Sequence, residues 1–246
     1  MAITTNYKCN EWLDEVDIKR IESLPPAQYK VDGLGDWGVT EGLIYEQFVE
    51  CNKDFIIPAS KLPQLSSIYI GVDFGDNKSA HSFTAIGIEG NYEAVYGLKT
   101  KKINAEGTTP AMLEDEFVAF VQEVISMYGP ATMAFCEHIN IYINGFRAAL
   151  YKANLAVNVA LAYKATIFDR IETTRKLFAL GKLKLVQGEC LSLEDAFNSA
   201  LWDTKKPKTR LDNGSVDVDS LDSFEYSWST FIEAILQNMG IVGRRD

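Results

Sequence analysis

From residue 67 onward, apolar positions fall into short, sharply bounded runs. Ile68-Tyr69-Ile70-Gly71-Val72 is an unbroken apolar or small stretch ending at Asp73, the pattern of a buried strand. Residues 83–89 and 92–99 alternate between apolar and polar and meet at Gly90-Asn91, which predicts a hairpin. Thr109 followed by Pro110 reads as an N-cap with proline in the first turn. Apolar residues at Leu113, Phe117, Phe120, Val121, Val124 and Tyr128 then keep a helical period until Gly129-Pro130 stops it. A strand over 131–136 ends at Glu137, and a helix over 145–153 and a strand over 156–162 follow. Next come a helix over 166–180 closed by Gly181 and a short strand over 183–186. Ser192 with Asp195 three residues later resembles a capping box for a helix reaching Trp202. Residues 203–218, with Asp212-Asn213-Gly214, read as a hairpin or exposed loop, and a last helix runs from 219 or 220 to 238. Three leading strands followed by alternating helices and strands predict a mixed α/β sheet flanked by helices on both faces.

Residues 1–66 read differently. Pro25-Pro26, the glycines at 33, 35, 38 and 42, and many acids leave room for one short helix over 13–24 and otherwise an extended arm or linker ending near Pro58 to Pro63. The expected division is an arm over 1–66 and one folded domain over 67–246, as in a fragment cut from a larger protein at a linker.

Composition narrows the chemistry. A chain of 246 residues that is 47% hydrophobic and 11% aromatic supplies a packed core. No apolar run is long enough to span a bilayer, and Met1 to Asn10 lack the basic-then-apolar layout of a secretory signal, so a soluble, cytoplasmic protein is expected. The four cysteines lie far apart without a CxxC pair, which speaks against a zinc site or a disulfide framework. With only two histidines, His81 and His138, neither a His-rich metal site nor a His-based triad is indicated. A net charge of −10 is unusual for a protein that binds phosphates, yet two stretches are locally basic, 164–184 and Lys205-Lys206-Pro207-Lys208-Thr209-Arg210.

The informative residues are acids at strand ends. Asp73 and Glu137 each close an apolar strand, and adjacent strands would set them side by side, where like charges repel unless a cation bridges them. A hard-metal cage needs a third oxygen ligand, for which Asp217-Val218-Asp219-Ser220-Leu221-Asp222 offers candidates. Asp219 and Asp222, three apart, project to one side of a helix start, where capping is the competing role. Two Mg²⁺ or Mn²⁺ ions in such a cage would drive phosphodiester hydrolysis without a histidine or serine nucleophile.

These motifs resemble the C-terminal nuclease domain of tailed-phage large terminases, the DNA-packaging motor proteins. The resemblance runs from Thr4-Thr5-Asn6-Tyr7-Lys8-Cys9-Asn10, through Gly35-Asp36-Trp37-Gly38 and Glu41-Gly42-Leu43-Ile44-Tyr45, to Gly71-Val72-Asp73-Phe74-Gly75, Glu137 and Asp219-Ser220-Leu221-Asp222-Ser223-Phe224-Glu225-Tyr226. It implies a ribonuclease H-like fold and cleavage of concatemeric viral double-stranded DNA during packaging, in the host cytoplasm. It makes Asp73, Glu137 and Asp222 the catalytic, metal-binding triad. Asp219 stands where some relatives carry histidine, so it either ligates a second metal or caps the helix. Lys164, Lys205, Lys206, Lys208 and Arg210 are the DNA-contacting candidates, and Asp76 and His81 are assigned no role. The implied partners are DNA, a packaging ATPase domain, a small terminase subunit and a portal. No GxxxxGK[ST] phosphate loop occurs in the chain, so the ATPase domain would lie outside it.

Two other readings compete. Gly71-Val72-Asp73-Phe74-Gly75-Asp76 also resembles the first phosphate-binding turn of actin-like and sugar-kinase ATPases, although no glycine-rich adenosine motif follows and the later Asp212-Asn213-Gly214 reads as a hairpin or exposed loop. A non-enzymatic packaging module is the other, with Phe224, Tyr226, Trp228 and Phe231 as a partner surface.

Overall fold

The pleat of a single strand sorts the chemistry of this chain. The computed structural model describes residues 6–10, 12–22, 42–76, 79–214 and 216–239. Strand β2 (Leu65–Asp73) lies inside a seven-stranded sheet, counted over the described residues. Because successive side chains alternate between faces, Ile68, Ile70 and Val72 enter one core, whereas Tyr69, Gly71 and Asp73 face the other side.

The remaining strands are β1 (Ile56–Ile57), β3 (Ala80–Glu89), β4 (Ala94–Asn104), β5 (Met133–Cys136), β6 (Asn158–Leu161) and β7 (Leu183–Val186), in the order β1-β7-β4-β3-β2-β5-β6. β2, β3 and β4 form an antiparallel meander, and β5, β6, β7 and β1 add in parallel at its flanks. The mixed sheet is the expected fold class. The hairpin turn falls at 90–93, where Gly90 and Tyr92 both adopt positive φ.

One face of the sheet carries helices α4 (Pro110–Tyr128) and α5 (Asn140–Lys152), whose Phe117, Phe120 and Phe146 pack on Phe83. Thr109 caps α4 by accepting the Met112 N–H at 3.3 Å, and Gly129 closes it at φ 103°, as the sequence indicates. α5 begins five residues before the expected start at Gly145. That glycine does not break the helix: an added Cβ would lie 2.2 Å from Glu114 Oε1, so it lets α5 approach α4 closely.

The opposite face carries α6 (Ile167–Ala179), α7 (Leu191–Ser199), α8 (Val218–Trp228) and α9 (Ile232–Asn238), separated from α8 by a 3₁₀ turn at Ser229–Phe231. The single last helix expected from the periodicity is therefore two. The capping box expected at Ser192 does not form, because α7 starts at Leu191 and Ser192 instead donates its hydroxyl hydrogen bond to Thr100.

Short helix α1 (Glu15–Glu22) falls within the expected 13–24. The expected arm does not extend to residue 66. α2 (Glu46–Glu50) and α3 (Asn52–Phe55) bury Tyr45, Phe48 and Phe55 against Phe178 and Phe197, and β1 pairs with β7. These aromatics read as loop residues because their partners lie more than 120 positions away in the chain. Pro25-Pro26, the glycines at 33, 35 and 38, and the stretch to Glu41 fall outside the described residues.

α8 meets the sheet through small residues. A Cβ on Gly71 would lie 1.8 Å from the Ser223 carbonyl oxygen and 2.6 Å from the Ser227 nitrogen, so helix and strand backbones touch there. The buried Ser223 hydroxyl is bonded to those of Ser82 (2.9 Å) and Thr84 (2.7 Å) on β3 and also donates to the Ser220 carbonyl. Replacing Gly71 with valine is expected to lower the unfolding free energy by about 1–3 kcal/mol or more, because the displaced backbone cannot give way as a side chain would. Urea denaturation of the variant tests this, and a midpoint equal to the wild-type value would contradict the contact.

Candidate metal centre

Asp73 and Glu137 arrive at one place by register. β2 and β5 are parallel and pair Val72 with Cys136, and the next residue continues the ladder as the Glu137 N–H donates to the Val72 carbonyl at 3.0 Å. Both carboxylates thus leave the same end of adjacent strands on the α8 side of the sheet. α8 supplies the others. Residues three and four apart share a helix face, so Asp219, Asp222 and Tyr226 line a cleft of about 660 Å³ together with Asp73, Glu137 and Lys102. The strand ends and the helix therefore bring all four expected acids to one cleft.

The capping question is settled by a different residue. Asp217 is the N-cap of α8, accepting the Ser220 N–H at 3.1 Å and the Ser220 hydroxyl at 2.9 Å, and it also pairs with Lys102 at 2.9 Å. Asp219 is left for another contact, accepting the Ala80 N–H through Oδ2 at 2.9 Å. Its carboxyl is raised above the ordinary range, chiefly by burial, and the Ala80 hydrogen bond works the other way.

Each of the remaining acids has its own electrostatic setting. Glu137 accepts from Lys164 Nζ at 2.8 Å. Asp222 Oδ1 accepts from Arg170 at 2.6 Å and also from Arg210. No hydrogen bond or ion pair reaches the Asp73 carboxylate among the described residues, although it is buried. Burial first, and then the charges of Asp222, Glu137 and Asp219, push its pKa up to about 9, with Lys164 opposing them. Among the described residues, no three His, Cys, Asp or Glu side chains stand close enough to hold an ion. The acids repel one another, and Glu137 and Asp222 are drawn toward their own cations. The donor set nonetheless fits a hard divalent ion: all its members are carboxylates, and Asp73 is a buried acid that lacks a counter-charge.

Arg210 departs from its expected role. The loop at 203–209 closes through a bridge between Trp202 and Arg210, which turns Arg210 inward to 4% exposure, whereas Lys205, Lys206 and Lys208 remain exposed. Its guanidinium donates to Glu225 Oε1 at 2.8 Å and Oε2 at 3.0 Å as well as to Asp222, and Arg170 pairs with Glu225 at 2.7 Å. Burial opposes the charge of Arg210, but Glu225 and Asp222 outweigh it and hold the group above its ordinary range. Arg210 is thus committed to carboxylates and is not presented to a DNA backbone. This double ion pair was missed from the sequence. The available signal was Asp222 and Glu225 three apart on one helix, but nothing in the chain names two arginines from separate elements as their partners.

His81 also acquires a role. It is buried against Phe74 and Tyr142, its pKa is lowered by burial, and its Nδ1 accepts the Gly75 N–H at 3.1 Å, bracing the turn after Asp73.

Comparison with solved structures places this architecture. The chain is similar to the large terminase from a thermophilic bacteriophage, at 17% identity and a TM-score of 0.58 over 92% of this chain and 54% of that one. It is similar to the P22 large terminase nuclease domain, at 13% identity and a TM-score of 0.59 over 80% of this chain and 97% of that one. The large terminase nuclease from thermophilic phage G20c with bound magnesium matches at 13% identity and a TM-score of 0.50, over 78% and 98% of the two chains. No family model and no curated protein matches the sequence. The chain therefore has the ribonuclease H-like fold of terminase nuclease domains and spans about half the length (54%) of the first of these large terminases.

The raised Asp73 carboxyl carries a stability consequence. Its folded value lies above the ordinary 3.8, so the folded protein holds a proton that the unfolded chain releases. That contribution is full below about pH 4 and is lost as pH rises through about 9. In EDTA, the urea midpoint of the wild type is expected to fall between about pH 6 and pH 9, and Asp73→Asn to remove part of that fall. Parallel pH profiles for the two proteins would refute the assignment.

Proposed function

We propose that this chain is a divalent-metal-dependent endodeoxyribonuclease that cleaves concatemeric viral double-stranded DNA during genome packaging. The observation that carries the reading is the meeting of Asp73, Glu137 and Asp222 in one cleft, with Asp73 buried and lacking a counter-charge, in a fold shared with terminase nuclease domains.

In this reading Asp73, Glu137 and Asp222 hold two Mg²⁺ or Mn²⁺ ions, and Asp219 stands beside them as a further oxygen ligand. When bound, the ions supply activation of a water and stabilisation of the leaving oxygen. The protein contributes orientation. β2 and β5 hold two ligands abreast through the sheet ladder, α8 sets a third across from them, and the Gly75–His81 bond braces the turn that follows Asp73. Lys164 faces Glu137 and the Tyr226 ring, and Lys102 lines the cleft, so both can turn to phosphate oxygens. Exposed Lys205, Lys206 and Lys208 add local positive charge a few residues before Asp212, Asn213 and Gly214, which line the cleft.

Backbone-directed contacts of this kind give little base preference. The wider partners in this reading are a packaging ATPase domain, a small terminase subunit and a portal, in the host cytoplasm. Among the described residues, no helix is long and apolar enough to cross a membrane.

A plasmid-nicking assay with Mg²⁺ or Mn²⁺ tests the function. Cleavage is expected to require the metal, and to drop by roughly 100-fold or more in each of Asp73→Asn, Glu137→Gln and Asp222→Asn. Metal-independent cleavage, or variants as active as the wild type, would overturn the proposal.

A further inference from the structure

We infer that Glu225 is a positioning residue for the metal centre: it neutralises one of the two guanidinium charges gripping Asp222, so that Asp222 keeps enough negative charge to hold a divalent ion. The inference rests on the nuclease reading above.

Glu225 is fully buried, with side-chain exposure of 0%, and does not line the cleft. A carboxylate placed so deep is costly unless it is paired and hydrogen-bonded. Here it is paired twice. Arg210 grips both its oxygens, and Arg170 reaches Oε2 at 2.7 Å. The same two arginines meet on one oxygen of Asp222, Oδ1. Their side chains are only 6% and 3% exposed, so water screens neither charge well. The four groups sum to zero formal charge.

Asp222 is the member of this group that reaches the cleft, at 23% side-chain exposure, and its Oδ2 makes no hydrogen bond among the described residues. Glu225 thus sits behind a ligand, one helical turn away and linked to it through two shared cations. Remove its charge and two buried guanidinium groups would face a single carboxylate. The surplus positive charge would then oppose any cation binding at Oδ2, and even with water-like screening a unit charge several ångströms from a divalent ion weakens such binding about tenfold, and by more where screening is poor. A purely structural ion pair between α6, α8 and the 203–210 loop would need no such link to the cleft. The shared oxygen makes the buried pair and the proposed ligand one electrostatic unit.

The test is Mn²⁺ binding to the full chain, followed by calorimetry, with circular dichroism as the check on folding. Glu225→Gln keeps the shape and removes the charge; its dissociation constant is expected to rise by about tenfold or more. The double variant Glu225→Gln with Arg210→Gln restores zero charge around Asp222 and is expected to bind within about threefold of the wild type, as coupled charges should. A folded Glu225→Gln protein with wild-type affinity would overturn the inference, as would a double variant that binds as weakly as the single. If Glu225→Gln fails to fold, Arg210→Gln takes its place as the comparison: it is expected to bind more tightly than the wild type and the double variant to return to wild-type affinity, whereas equal affinities of Arg210→Gln and the double variant would overturn the inference. A wild type that binds no Mn²⁺ would refute the nuclease reading itself, and this inference with it.

Discussion

The backbone contact between Gly71 and α8 fixes everything that follows at the site. With no side chain on Gly71, the helix lies directly on the strand, and the hydroxyls of Ser82, Thr84 and Ser223 supply the polar contacts that close packing would otherwise leave buried and unpaired. Two residues beyond Gly71 on the same face of the strand comes Asp73. One residue before Ser223 on the helix comes Asp222. A larger residue at 71 would lift the helix and separate these two acids, so the geometry of the site is inherited from a contact at its back.

Charge organises the second level. The cleft gathers acids that repel one another, and the protein manages them individually. Lys102 takes the helix cap Asp217, Lys164 takes Glu137, and Arg170 with Arg210 take Asp222 and Glu225. Asp73 has no such partner among the described residues, and burial together with the neighbouring acids raises its pKa. A net charge of −10 therefore conceals a local division of labour. Exposed lysines stay on the loop at 205–208, while the buried arginines serve the carboxylates.

The packing of residues 43–57 along the β1–β7 edge of the sheet completes the same unit. Tyr45, from the stretch before α2, is buried with its hydroxyl unpaired beside the Arg170–Glu225–Arg210 group, whose charges act on it. Phe48 and Phe55 fill the aromatic cluster under α6 and α7. The segment is part of the domain that carries the cleft, so a boundary drawn at residue 66 would cut through the core.

Local pattern determined much of this in advance. Alternation and unbroken apolar runs located β2, the hairpin and β7. Thr109-Pro110 and Gly129 bounded α4, and acids closing apolar strands marked Asp73 and Glu137. Those signals are legible because they depend on neighbours a few residues away, through strand pleat, helical period and cap chemistry. Tertiary structure decided the rest. It made Asp217 the cap of α8, split the last helix, pulled 43–57 into the core, turned Arg210 from the surface to the interior, and joined it with Arg170 to Glu225. Most of these outcomes depend on partners tens to more than a hundred positions apart. Buried charge and close backbone contact are stable only when the whole sheet and its helices bring those partners together, and no stretch of sequence carries that information alone.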